Sequence, residues 1–430
     1  MKKDRTQPSS IPAWFRTHRF GLFIHWGLYA IHGIHEQEQW RLNVPAAEYE
    51  KLQHQFNPRQ FNPAEWLDLA QECGMSYLVF TAKHHDGFCM WDTRETDFSI
   101  MNTPYRRDIV GMLAEECHKR DFPFEIYYSC VDWRHSAYPN LGRHHEIKTD
   151  PARHDLPGYV EFVKRQIREL CTNYGDIHGI WWDMNVPQYV DLSVNALIRE
   201  LQPHAVINNR GFGPGDYSTP ERDFQTEDFL PFSAPTEACD SIGMNSWGYR
   251  AEEDYFSVRK LQRQIALYTA LGGNFLLNAG PKADGGFPVR AEQLLRSVGQ
   301  WYNRTAPALT AAPCPGIVKV PNVLCTGGGR ELNLILLDAP QGETLRLPGL
   351  DILPEKVELL NTAEPVEFTL SPTAYTFSEP PALRLRGLPA DRLNGTIPVI
   401  RLIFAEKVII PGGAVSRTAA PPVPRAVRTG

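Results

Sequence analysis

Short apolar runs alternate with amphipathic stretches through the first two-thirds of the chain. Phe20-Gly-Leu-Phe-Ile-His-Trp26, residues 76–81, Pro123–Ser129, Ile177–Asp183, Ala205–Arg210 and Gly273–Asn278 each read as a strand. They are short, mostly apolar and bounded by turn residues, as buried strands are. Between them, apolar residues recur at helical spacing: Ile109, Val110, Leu113 and Cys117, then Val160, Val163, Ile167 and Leu170, with a further helix near 257–270. One helix start carries its own punctuation. Asn62 can cap, Pro63 fits the first turn, Glu65 suits a capping box, and Gly74 closes the helix. Strand and helix in steady succession predict a parallel sheet with helical crossovers. A repeat of roughly 45–50 residues fits a barrel with long loops at one end.

The pattern changes near Thr305, after helical residues 289–303. Beyond it the chain is punctuated by Pro and Gly, with short β-like runs such as Glu331–Leu336, Thr344–Leu347, Val357–Leu360 and Val399–Ile403. These predict a small β-sandwich. The organisation expected is a barrel over 11–305, a sandwich over 306–410 and a disordered Pro/Ala-rich tail over 411–430. A chain of 430 residues has room for both folded parts.

Composition narrows the function classes. Hydrophobic content of 42% and charged content of 22% are those of a soluble globular protein. A net charge of −6, with no block of Lys or Arg, offers no face to nucleic acid. Ten Trp and sixteen Tyr favour stacking on flat apolar surfaces such as sugar rings. The eight cysteines show no CxxC and no metal-like spacing, so they read as reduced core thiols. The N-terminus lacks an apolar segment behind its basic residues, and Phe20–Trp26 is too short to span a bilayer. A cytoplasmic protein with no membrane partner is expected, unless a leader has been removed.

The richest chemistry lies in Thr81-Ala-Lys-His-His-Asp-Gly-Phe88, where two imidazoles, a cation and a carboxylate arrive together at a strand's end. Other polar groups fall at comparable positions: His25, Tyr128, Asp183 and Arg210, the distribution of a barrel enzyme. Asp183 ends an aromatic strand containing Trp181 and Trp182, whose rings would partly desolvate it. Glu221 lies in the shaped loop Asp216–Glu221, with Glu227 and Glu237 as rivals for any carboxylate role. His25, His84 and His85 could ligate a metal. Neighbours in an extended strand point to opposite faces, however, so His84 and His85 are not expected to chelate one ion. Hydrogen bonding to substrate hydroxyls suits them better. Arg210 could orient a carboxylate, and Trp247 could wall a pocket. The loops Gly211–Gly215 and Gly327–Gly329 lack the signature of a phosphate loop, so no cofactor is expected.

Taken in order, several segments resemble the α-L-fucosidases of glycoside hydrolase family 29. They are Phe20–Gly27, Thr81–Phe88 with Trp91-Asp92, Tyr127–Ser129 with Asp132-Trp133, Trp181–Asp183, Asn209-Arg210, Ser246–Tyr249 and Gly272–Gly285. The resemblance implies an irregular (β/α)8-like TIM barrel followed by a C-terminal β-sandwich. It also implies hydrolysis of terminal α-L-fucosyl bonds of a fucosylated oligosaccharide with retention of configuration. By position, Asp183 resembles the nucleophile and Glu221 the acid/base. His25, Trp40, His84 and His85 resemble groups on the sugar hydroxyls. Tyr128, Arg210 and Trp181 would lie near the ring oxygen and the nucleophile, and Phe23 and Trp247 against the 6-methyl group.

Two departures from the family pattern stand out. Gln39-Trp-Arg41 replaces Glu-Trp-Tyr, turning a carboxylate expected on the sugar hydroxyls into an amide, with Glu38 next to it as a substitute. Pro235-Thr-Glu-Ala-Cys239 stands where the signature reads Lys-Trp-Glu-x-Cys. Retaining hydrolysis requires one ionised carboxyl and one protonated carboxyl, and Glu221 would need a less polar setting than Asp183. Two alternatives remain open at this point: a retaining glycosidase for a related sugar such as an α-L-galactoside, and a fucose-binding protein without turnover.

Overall fold

The computed structural model describes residues 11–140, 147–185, 188–222, 229–371 and 381–407. The predicted tail and Glu227 lie outside the described residues. By internal contact the chain divides into two units. The first holds residues up to Asp223 together with Glu237–Gln262 and Asn274–Asn303, and the second holds the remaining segments.

The first unit is built on a parallel sheet of seven described strands: β1 Phe20–Ile24, β2 Leu78–Lys83, β3 Phe124–Ser129, β4 Gly179–Asp183, β5 Val206–Ile207, β6 Glu237–Ser241 and β7 Asn274–Ala279. Their spatial order is β5-β4-β3-β2-β1-β7-β6. Helices Pro63–Glu72, Ile109–Lys119, Leu156–Thr172 and Leu192–Leu201 supply crossovers. Each starts at a side chain that accepts a backbone N–H of the first turn, from Asn62, Asp108, Asp155 and Asp191 in turn. The Asn62 cap is the one the sequence pattern marked; helix Leu192–Leu201 was not predicted.

The sheet edges β5 and β6 are joined by residues 216–222, predicted as a loop. Asn209 N–H donates to Tyr217 O at 3.0 Å, and Glu237 and Cys239 N–H donate to Ser218 O and Pro220 O at 2.9 and 3.0 Å. Parallel bridges Asn208–Tyr217 and Glu221–Cys239 complete the link. Pro220 only accepts, so its missing N–H leaves nothing unpaired. This segment acts as an irregular eighth strand and closes the barrel. Strand β6 was also missed. Glu237-Ala-Cys-Asp-Ser241 is fully buried yet carries two carboxyls, so no apolar run marks it.

Inside the barrel Phe15, Phe23, Tyr77, Val79, Tyr127, Trp181, Val206, Tyr217, Cys239 and Leu276 form one cluster. The second unit contains an antiparallel three-stranded sheet and a five-stranded one. A core including Leu334, Leu347, Leu359, Leu383, Leu385, Ile400 and Leu402 packs between its strands. Among the described residues no helix is long and apolar enough to cross a membrane.

At the end of β2, Lys83 is fully buried. Its ammonium donates to Asp132 Oδ2 at 2.9 Å and to the Tyr159 hydroxyl at 3.3 Å, and lies 4.5 Å from the Tyr128 ring. Asp132 Oδ1 in turn accepts the N–H groups of Arg134 and His135. The pair ties the turn after β2 to the turn after β3. Lys83→Met would strand a buried carboxylate, and a loss of about 3–5 kcal/mol in urea unfolding is expected. A loss within experimental error would show that the pair holds nothing.

Candidate active site

The turn after β2 requires Gly87. Its φ is +81°, and a Cβ there would stand 2.5 Å from Asp132 Oδ1. His84 and His85 precede it, beyond the last strand residue, so strand alternation no longer governs them. Their rings stack at 4.0 Å and 29°. The opposite-face expectation is therefore corrected: both imidazoles turn toward one region.

Hydrogen bonds around the histidines determine which ring nitrogen carries the proton. The Asn278 amide N donates to Trp247 O and Ser241 Oγ, so its Oδ1 faces His25 Nδ1 at 2.7 Å and accepts a hydrogen bond from it. Burial pushes the His25 pKa down, although Glu36 and the Asn278 bond oppose this. His25 is thus neutral and presents Nε2 as an acceptor. Ser129 Oγ donates to Val131 O at 2.8 Å and accepts from His85 Nδ1 at 2.7 Å. His85 Nε2 consequently faces Asp183, 3.9 Å from Oδ2.

Asp183 is the last residue of β4, and its side chain is 14% exposed. Tyr127 O–H donates to Oδ2 at 2.7 Å, and Arg210 Nη1 donates to Oδ1 at 3.2 Å. The same Nη1 donates to Glu221 Oε2 at 3.0 Å. Arg210 cannot swing away readily, because Nε donates to Thr219 Oγ1 at 2.5 Å and Nη2 to Thr219 O at 2.6 Å. One guanidinium nitrogen therefore bridges the two carboxylates, whose nearest oxygens lie at most about 6 Å apart. Each carboxylate is followed by a non-glycine residue in left-handed conformation, Met184 at φ 54° and Arg222 at φ 56°. Such strain accompanies abrupt turns that aim side chains into a site.

Aromatic rings surround this bridge. The Arg210 guanidinium sits 4.9 Å from the Trp181 ring, which stacks on Tyr127 at 5.5 Å and 17°. Phe23 touches Trp181, His25 and Trp247 with centroids 5.2, 4.6 and 6.2 Å away. His25 lies 5.3 Å from Trp247 and 5.6 Å from His84. The loop carrying Trp247 is pinned by Glu36, which accepts Ser246 Oγ at 2.6 Å and Trp247 N at 3.0 Å. It also presses on Gly280, where a Cβ would meet the Gly248 carbonyl carbon at 2.3 Å.

Three expectations need correction or completion. Tyr128 does not reach Asp183: its hydroxyl donates to Gln166 Oε1 at 2.5 Å, on the opposite sheet face. Register explains this, since Tyr127 pairs with Trp181 and Ser129 with Asp183, whereas Tyr128 pairs with Trp182. Glu221 is not in a less polar setting than Asp183, being 41% exposed and paired with Arg210. Glu237 lies inside the barrel, bonded by Tyr77 and Trp181. Trp40 sits, partly buried, on the short helix Glu38–Arg41 with the Arg41 guanidinium 5.7 Å from its ring. The neighbouring Gln39 Oε1 and Glu38 Oε2 are buried without a hydrogen-bond partner among the described residues. Sequence reasoning missed Tyr127, Thr219, Ser129, Asn278 and Glu36. Only Tyr127 had a usable signal: a tyrosine pair on one strand must place one member on each face.

Two carboxyls bridged by a cation and walled by aromatic rings lie at the carboxyl end of a parallel barrel, an arrangement that suits glycoside hydrolysis. A family model described as alpha-L-fucosidase matches residues 1–306. Human tissue alpha-L-fucosidase is 28% identical over 415 residues, spanning 89% of this chain and 87% of that protein. The solved structure of alpha-L-fucosidase isoenzyme 1 from Paenibacillus thiaminolyticus superposes with a TM-score of 0.79 at 29% identity, over 91% of this chain and 97% of that one. A GH29 alpha-L-fucosidase from Bacteroides thetaiotaomicron, trapped as a covalent intermediate with 2-fluoro-fucosyl fluoride using a Glu-to-Gln mutant, gives 0.74 at 27% identity, over 90% and 94%. The chain belongs to the α-L-fucosidase family.

The two adjacent tyrosines provide a paired test. Tyr127→Phe removes a hydrogen bond to a charged group, about 1.5–3 kcal/mol, so kcat on an aryl fucoside is expected to fall by about 10- to 100-fold. Tyr128→Phe should leave kcat near wild type and lower only the melting temperature. A reversal of this order would mean that the assigned faces are exchanged.

Proposed function

We propose that this chain is an exo-acting, retaining α-L-fucosidase in which Asp183 is the nucleophile and Glu221 the acid/base. The observation that supports this reading is the Arg210 bridge, which holds the nearest oxygens of the two carboxyl groups within about 6 Å, short of the inverting range. Retaining enzymes hold theirs about 5–5.5 Å apart, whereas inverting enzymes leave about 6.5–9.5 Å for a water.

In the first step Asp183 attacks the anomeric carbon, forming an ester as the bond to the leaving oxygen breaks. Glu221 gives that oxygen its proton. Protonated Glu221 retains a carbonyl oxygen for Arg210 while its O–H points at the leaving group. Tyr127 and Arg210 stabilise the Asp183 charge before attack and again when the ester cleaves. In the second step Glu221 takes a proton from water, the water oxygen bonds to the anomeric carbon, and Asp183 departs as the free carboxylate. The Nε2 acceptor of His25 and the Nε2 of His85 would orient sugar hydroxyls, with His84 and Trp40 beside them. Phe23 and Trp247 would cover the 6-methyl group, a contact worth only about 1 kcal/mol, so hydroxyl recognition supplies much of the selectivity. Fucosylated glycans are accordingly the substrate class. The eight cysteines are free and buried, which supports a reducing, cytoplasmic setting.

Asp183→Gly is expected to abolish turnover, with azide restoring part of it and yielding a β-fucosyl azide. Wild-type activity in that variant would eliminate Asp183 as the nucleophile. Glu221→Ala should spare activated aryl fucosides more than natural glycans, and equal losses on both would count against an acid role. Gln39 keeps one alternative in play, a related sugar at the same site. Wild-type enzyme is expected to prefer aryl α-L-fucoside over aryl α-L-galactoside, and the opposite preference would reassign the substrate.

A further inference from the structure

Deeper in the barrel than Asp183 lies a second pair of carboxyls, shut off from solvent. Glu125 on β3 and Glu237 on β6 are both fully buried. Glu237 Oε2 accepts from Tyr77 O–H at 2.8 Å and Oε1 from Trp181 Nε1 at 3.1 Å. The Tyr217 hydroxyl donates to Glu125 Oε2 at 3.3 Å and bears on Glu237 as well. Glu125 Oε1 has no hydrogen-bond partner among the described residues. The groups facing the pair are Tyr77 from before β2, Trp181 from β4, Tyr217 from the closing segment and Cys239 from β6. Arg19 acts on Tyr77 from one side, and Arg210 lies over the Trp181 ring on the other. No described ion pair reaches either carboxyl.

Two ionised carboxylates cannot share such a layer without water or a cation. Hydrogen-bond supply decides which one keeps the charge. Glu237 has donors on both oxygens, whereas Glu125 has one on a single oxygen, so the proton resides mainly on Glu125. We propose that Glu237 is a positioning residue: sharing one proton with Glu125, it anchors the Trp181 indole and, through that ring, the Tyr127 and Arg210 groups that bind Asp183. The inference rests on the fucosidase reading for its kinetic arm only. Trp181 has no other described hydrogen bond on Nε1, and its ring is the surface on which Tyr127 stacks and Arg210 rests. Rotation of the indole would therefore move both groups that hold the nucleophile.

Burial pushes Glu237 up to about 7 from the ordinary 4.5, against the pull of Tyr77, Trp181 and Tyr217, and burial followed by the neighbouring Glu237 pushes Glu125 up as well. A carboxyl with a raised folded pKa binds more protons folded than unfolded in that interval. For Glu237 the penalty is absent below about pH 4.5 and complete above about pH 7, so stability falls as pH rises through the interval.

The test combines melting temperatures from pH 4.5 to 7.5, which need no substrate, with kinetics on an aryl fucoside. Glu125→Gln/Glu237→Gln should flatten the downward slope of melting temperature with pH, and an unchanged slope overturns the shared proton. Glu237→Leu leaves the indole N–H unanswered, and kcat should fall at least tenfold with KM within threefold. Glu237→Gln keeps an acceptor oxygen for the indole and should recover most of that loss. An unaltered kcat in the Leu variant, or equal losses for Gln and Leu, overturns the positioning role. Should the Leu variant fail to fold, Glu237→Gln decides the kinetic arm: a tenfold or greater kcat loss in a folded protein overturns the proposal.

Discussion

Arg210 holds the site together because its Nε, Nη1 and Nη2 all donate within the same small space. Nε and Nη2 are spent on Thr219, which fixes the guanidinium plane, and Nη1 is left to face Asp183 and Glu221 at once. A point charge on a flexible stem could neutralise one carboxylate but could not bridge two at a set spacing. The flat face of the same guanidinium lies over Trp181, so packing and hydrogen bonding restrain it together. Remove this cation and two carboxylates face one another across a few ångströms of aromatic pocket, where like charges cannot both persist.

The bridge exists only because the barrel closes. Asp183 ends β4, Arg210 follows β5, and Glu221 rides the irregular segment that joins β5 to β6. On that segment Tyr217, Thr219 and Glu221 alternate toward the interior, which lets one stretch serve three purposes. Tyr217 reaches the buried carboxyl layer, Thr219 holds Arg210, and Glu221 meets Arg210 at the rim. A proline in the segment fits because it needs only to accept.

Polar groups run deep into this barrel, and several are matched by a specific partner. Lys83 has Asp132, His25 has Asn278, His85 has Ser129, and Glu237 has Tyr77 and Trp181. These second contacts choose tautomers and ring orientations, which decides whether a histidine offers a sugar a donor or an acceptor. The layer beneath the catalytic rim holds Trp181 by its indole N–H, which donates to Glu237.

Local chemistry alone determined much of this. Apolar runs marked most of the strands, Asn62 marked a helix start, and Asp183, Arg210, His84 and His85 stood out as polar groups at strand ends. Strand β6 stayed hidden because its buried Glu237 and Asp240 break the apolar signal on which such reading depends. Tyr127 was passed over for Tyr128 because alternation says that one of them faces inward but not which. That choice is made by register against β4, a relation between segments more than fifty residues apart. The less polar setting expected for Glu221 was wrong, since a loop glutamate acquires its partner only when Arg210 arrives from another strand. Residue type and spacing are properties of the chain. Facing direction and partnership between distant residues are properties of the closed barrel.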